Sequence, residues 1–152
     1  MSCLVCLASD APLPALPAPR SPSEICITID TENGTVTAPP EDFWEILPLK
    51  NLPLIRSEKR YYAAVEWPRS APGNAGMLID YLRCHLAQTD EVELWNLWDG
   101  DGAELIRIRR SSVSLKDLTA EQIFALCSAD VVHPIRLGPA EAFIQYCLVI
   151  TR

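Results

Sequence analysis

Cys3-Leu-Val-Cys6 has the spacing of a metal-ligand pair. A structural zinc site needs further ligands, and no second C-x-x-C occurs. The other cysteines, Cys26, Cys84, Cys127 and Cys147, are scattered. Most lie in apolar periodic segments, where a thiol packs as a small hydrophobe. His85 falls on an expected helix and His133 precedes Pro134 in an expected loop. Nucleophilic catalysis would want a Ser or Cys beside one of them and an acid behind it. No GxSxG elbow is present. The chain is therefore read as a binding protein, not an enzyme, with no metal and no cofactor.

The stretch from Gln88 to Ile106 holds Asp90, Glu91, Glu93, Asp99, Asp101 and Glu104, with no basic residue and with Trp95 and Trp98 among them. Asp99-Gly-Asp-Gly102 is shorter than a calcium-binding loop. Acids interleaved with tryptophan suit a basic protein partner, charge steering the encounter and aromatic area supplying affinity. Glu91, Glu93, Trp95, Trp98, Asp99, Asp101 and Glu104 are the expected partner-binding residues. The plainer alternative is a solvated hairpin with one core Trp. A second candidate is Arg69, in the loop Trp67–Asn74 before an expected helix. Free N–H groups at a helix start, with Arg69, can hold an anion. The alternative there is a proline-stiffened connection with Arg69 in solvent.

Charge narrows the partners further. The 152 residues carry 13 basic and 20 acidic side chains, a net −7. That opposes indiscriminate nucleic-acid binding, which rests on neutralised phosphates. It also opposes an anionic membrane surface. Apolar residues make up 49%, enough to build a core. No apolar run approaches the ~20 residues of a spanning helix. The apolar patch in Met1–Asp10 has no basic residue before it, so no secretory signal is expected. A cytoplasmic location with reduced thiols follows as the expectation. Oligomeric state stays open.

The elements that would position these residues follow from local signals. Five prolines in residues 7–22 forbid helix and ladder bonding, so residues 1–22 read as a proline-rich arm. Residues 23–152 read as one α+β domain. Within it, Glu24–Ile29 and Thr35–Thr37 flank the turn Glu32-Asn-Gly34 as a hairpin. Pro39-Pro40-Glu41-Asp42 then opens a short helix with Phe43, Trp44, Ile46 and Leu47 as its apolar face. From Tyr61 the pattern is strand (61–67), helix (72–88, with Met77, Leu78, Tyr81, Leu82 and Leu86), strand (91–98), strand (104–110), helix and strand (143–150). Thr119 and Gln122 have capping-box spacing at the second helix, and Leu118 and Ile123 have staple spacing.

That order is β-α-β-β-α-β, the ferredoxin-like split βαβ arrangement with two helices on one face of an antiparallel sheet. Residues 23–60 would be a hairpin–helix extension, and 61–152 the ferredoxin-like core. Alternation places Val92, Leu94, Ile106, Ile108, Ile144, Tyr146, Leu148 and Ile150 against the helices. Tyr62, Glu66, Glu91, Glu93, Trp95, Leu97, Arg107, Arg109, Gln145 and Cys147 would fill the other face. There Glu91 or Glu93 would pair with Arg107 or Arg109 on a solvated sheet, or Trp95 would anchor a docked partner. An RNA-recognition module shares this topology, but its aromatic pair is missing beside Arg107 and Arg109.

An acidic single-domain α+β protein of this kind resembles the immunity proteins of contact-dependent inhibition and related polymorphic toxin systems. The residues carrying the resemblance are Glu91-Val-Glu-Leu-Trp-Asn-Leu-Trp98, the helix start Leu118-Thr-Ala-Glu-Gln122 and Tyr146-Cys-Leu-Val-Ile-Thr-Arg152. The resemblance implies a basic protein toxin, often a nuclease, bound and neutralised, with no direct nucleic-acid contact. The alternatives are a small ferredoxin-like anion-binding enzyme and a ligand-sensing or oligomerising module.

Overall fold

A run of apolar residues at the N-terminal end, not the expected hairpin, lies at the middle of the sheet. The computed structural model describes residues 2–16, 27–31, 34–38, 45–50, 57–66, 73–99, 106–129, 135–137 and 140–152. In chain order the elements are β1 (Ser2–Ser9), β2 (Ile27–Thr31), β3 (Gly34–Ala38), β4 (Glu45–Leu49), β5 (Tyr61–Glu66), α1 (Gly73–His85), β6 (Glu91–Asp99), β7 (Ile106–Ser114), α2 (Ala120–Cys127), β8 (Ile135–Leu137) and β9 (Ala140–Thr151).

The main sheet runs β4-β5-β1-β6-β9-β7, and β8 pairs with the start of β9. Every pairing in it is antiparallel except β7 with β9, which is parallel. β2 and β3 form a separate antiparallel pair closing at Thr31 and Gly34, as the Asn-Gly turn signal predicts. β1 places Cys6 between Ala64 of β5 and Trp95 of β6. Residues 2–9 of the expected arm are thus a central strand. The reason is visible in their burial: Val5 to Ser9 are all buried, on both faces. A strand covered twice reads as a continuous apolar run rather than an alternation.

The α+β class holds, with both helices on one face. The ferredoxin-like order does not: β9 lies between β6 and β7, which that order pairs as a hairpin, β5 is flanked by β4 and β1 rather than by β7 and β9, and β7 runs parallel to β9. The expected hairpin across Asp99–Gly102 fails for a reason of burial. On β9, Ile144, Gln145, Cys147, Leu148 and Ile150 are buried, so both its faces need cover. On β7, Arg107, Arg109, Arg110, Ser111 and Ser112 are exposed. The apolar strand takes the interior place and the charged strand the edge. The helix expected from Pro39 to Leu47 is also corrected. Ile46 and Leu47 belong to β4, opposite Val65 and Ala64. Residues 39–44 lie outside the described set.

The core on the helix side joins Leu78 and Leu82 of α1, and Leu86 just after it, to Val5, Leu7, Ala63, Val65, Val92 and Leu94. Each leucine buried there contributes about 1.5–3 kcal/mol. Ile123 and Cys127 of α2 pack in the same cluster with Leu148 and Ile150. The capping box forms as its spacing predicts. Thr119 Oγ1 accepts from the Gln122 N–H at 3.3 Å, and Gln122 Oε1 accepts from the Thr119 N–H at 2.9 Å. No helix among the described residues is long and apolar enough to cross a membrane.

Candidate functional site

The acidic stretch does not present the surface its composition predicts. Glu93 is 3% exposed and Trp95 is 0% exposed. They stand two residues apart on β6, facing away from the helices with Cys6, Leu97 and Cys147. Trp95 Nε1 donates to Glu93 Oε2 at 2.9 Å. Arg110 of β7 also donates to Glu93, and its guanidinium lies 5.9 Å from the Trp95 ring centre. The carboxylate is therefore paired and hydrogen-bonded, the condition under which such a charge is tolerated inside. Burial pushes the nearby Cys147 thiol up to about 12, with the Glu93 charge adding to the rise. Trp95 is thus a core residue of the second sheet face, not an exposed anchor.

Of the other expected contacts, Glu91 is partly exposed and binds Lys59 at 2.6 Å. Lys59 also reaches Asp10 at 2.7 Å. Burial works to lower the Lys59 ammonium, but the two carboxylates outweigh it and hold it above its ordinary value. Trp98 and Asp99 occupy the end of β6, in register with Cys3 and Ser2. Asp101, Glu104, Arg69 and His133 lie outside the described residues.

The face assignment slips by one residue on β7. In the parallel register Arg109 stands beside Tyr146, and Arg110 beside Cys147. Arg107 and Arg109 therefore share the helix face, while Ile108 and Arg110 share the Trp95 face. Residues alternate across a strand, so one step in register moves every side chain to the other face. The expected Glu–Arg pair exists, but it joins Glu93 to Arg110. Comparison with protein-family models, with curated proteins and with solved structures gives no match.

Two arrangements were not foreseen from the sequence. The first is Ser9 beside His85, with Oγ 2.7 Å from Nε2. The serine Oγ also accepts the Ala11 N–H at 3.1 Å. Both residues are buried, Ser9 at 0% and His85 at 2% exposure. Burial lowers the imidazole below its ordinary 6.5. Among the described residues His85 Nδ1 has no hydrogen-bond partner, and none of them stands behind the ring as an acid. The pair ties the end of α1 to the end of β1. Tyr81, one turn earlier, stacks on His85 and donates its hydroxyl to the Pro14 carbonyl at 3.0 Å. Only the bare need of a histidine for a serine partner hinted at this pair.

The second is a cleft of about 420 Å³ between α2 and strands β7 and β9. Val113, Tyr146 and Leu148 form an apolar floor, and Ala125, Leu126 and Ala129 line it from the helix side. Arg109 stands at its rim, its guanidinium 6.0 Å from the Tyr146 ring centre. α2 is held back over β6 by Asn96, whose Nδ2 donates to the Leu126 and Ala129 carbonyls at 2.8 and 3.0 Å. That anchoring leaves β7 uncovered by the helix. Its signal was a lone Asn in the apolar run Val92–Leu97.

Proposed function

We propose that this chain is a non-enzymatic binding protein whose partner engages the edge strand β7 beside α2. The observation that supports it is β7 itself. Among the described residues β9 alone pairs with this nine-residue strand, and its side chains from Arg109 to Ser112 are exposed. A free edge offers main-chain donors and acceptors to an added strand, and the adjoining cleft offers a place for its side chains. Cleft volumes of this order suit specific recognition. The Ser9–His85 pair, closed from solvent, acts as a fastening between α1 and β1 rather than as a nucleophile and base.

A second reading keeps the immunity-protein resemblance and a basic toxin as partner. Its support is the net −7 and a polar trough lined by Asp10, Lys59, Asp90 and Glu91. Asp90 there is 97% exposed. Both readings share a cytoplasmic, protein-binding role. Parallel affinity capture separates them, using the wild type, an Arg107→Glu/Arg109→Glu variant and an Asp90→Lys/Glu91→Lys variant. The edge reading expects the partner to be lost from the first variant and kept by the second. The reverse pattern supports the toxin-inhibitor reading and overturns the edge reading.

A further inference from the structure

We propose, resting on the edge-strand reading above, that the occupant of β7 is an extended acidic segment of another protein. Its pattern is two acids at alternate positions followed by apolar residues at the next alternate positions, in either chain direction.

The charge of the edge argues this first. Arg107, Arg109 and Arg110 place three of the chain's 13 basic residues within four positions. Arg110 is committed to Glu93. Arg107 and Arg109 pair with no carboxylate among the described residues, although the chain carries 20 acidic side chains; Arg109 has only the Tyr146 ring. Two unpaired guanidiniums on one side of a free strand edge are complementary to carboxylates, which they bind through charge-assisted bonds.

Spacing argues it second. Arg107 and Arg109 share a face, about 7 Å apart along the strand. An added strand repeats at the same interval, so acids at alternate positions meet both guanidiniums. Further along that face stand Ser111 and Val113, where the apolar floor of the cleft opens toward Ala125 and Leu126. Diagonal neighbours across a strand pair are within reach of long side chains. Apolar residues following the acids on the same face therefore meet that floor. A second copy of this chain fits the site poorly: two β7 strands paired antiparallel over their full length set Arg110 opposite Arg110 and gather six arginines on one seam, where like charges destabilise the pair.

The test uses synthetic peptides of about seven residues. The probe is Asp-Thr-Asp-Thr-Val-Thr-Val and its reversed sequence. The controls carry Lys in place of Asp, or N-methylated backbone at alternate residues. Binding is read by calorimetry at low and moderate salt, and its location by amide hydrogen exchange. The expected result is that one acidic peptide binds, slows exchange along β7, weakens with salt, and loses binding when N-methylated. Arg107→Glu/Arg109→Glu should cut its affinity about tenfold or more. Those two arginines make no ion pair among the described residues, so the variant should keep the wild-type melting temperature. If the Lys peptide alone slows β7 exchange, the acidic occupant is wrong while the edge reading stands. If an acidic peptide binds without slowing β7 exchange, or survives N-methylation unchanged, strand addition is wrong. If no peptide protects β7, both readings fall.

Discussion

The two edges of the sheet are protected in different ways. At β4, Ile46 has its outward N–H and C=O bonded to the carbonyl and N–H of Leu16, at 3.0 and 3.1 Å. Pro48, two residues on, points the same way and has no N–H to offer. The Ile46 side chain is itself core, at 0% exposure. At β7 the chain provides no such cover among the described residues, and arginines and serines line the strand instead. Proline and a folded-back segment close an edge permanently. Charge only selects what can approach, because it repels a like edge and admits a complementary one. Of the two edges, β7 alone is left open to an added strand among the described residues.

Ile46→Ala should have the largest effect. Truncating a fully buried Ile costs about 2–5 kcal/mol. The matching change at the open edge, Val113→Ala, removes a partly buried side chain and should cost no more than about 1 kcal/mol. Chemical denaturation of both variants checks the ranking. Equal losses would mean that β7 is as integral to the core as β4.

On the open side the next effect has the opposite sign. Gln145, beside β7 at Ile108, is 0% exposed, and among the described residues neither of its amide atoms has a partner. Replacing an unsatisfied buried amide with an apolar side chain of similar length relieves a cost of about 1–3 kcal/mol. Gln145→Met should therefore raise the unfolding midpoint. A lower midpoint would show that the amide is bonded in solution.

Acid should affect the closed side first. His85 has a lowered folded pKa, so the unfolded chain takes up the proton at higher pH. Its contribution is full above the ordinary 6.5 and is lost as pH falls through that value toward the lowered one. The Ser9–His85 bond holds the segment that continues to Leu16. The protection factors of the Leu16 and Ile46 amides, corrected for the intrinsic pH dependence of exchange, should fall as pH drops through the ordinary 6.5, with those of β7 little changed. His85→Gln should abolish the difference, and a uniform loss of protection would place the sensitive group elsewhere.

The smallest effect on stability should come from Arg107→Val/Arg109→Val, within about 0.5 kcal/mol. Its consequence should appear in sedimentation instead. Without charge, the free edge should self-associate with rising concentration, whereas Leu47→Val at the closed edge should not. A monomeric arginine-free variant would mean that something else covers β7.

Local signals were read correctly where one segment decides its own structure. The capping box at Thr119 and Gln122, the helix carrying Leu78 and Leu82, and the strands expected at 61–67 and 91–98, found at Tyr61–Glu66 and Glu91–Asp99, follow from spacing. Pairing partners did not follow, because they depend on burial across the whole sheet. Asp99-Gly-Asp-Gly102 carries a good turn signal, yet β6 and β7 are not neighbours, because β9 has two apolar faces to cover. The same blindness affected the site. Glu93 and Arg110 were each visible as charges, but the parallel register that joins them, and that turns Arg107 and Arg109 to the helix side, is a long-range property. β1 was hidden by the prolines that follow it.

The position of β1 also governs the order in which the protein can form. It is the earliest described strand, but Ser2 must find Asp99 and Ser9 must find Val92. At ~5–20 residues per second, synthesis separates Ser2 from Asp99 by roughly 5–20 s. During that interval the apolar run Cys3–Ala8 leaves the ribosome without β6, and for its first part without β5 as well. Closing such distant pairs slows folding as well. The newborn chain therefore carries an uncovered strand with two open edges for seconds, a natural target for a chaperone that holds extended apolar segments.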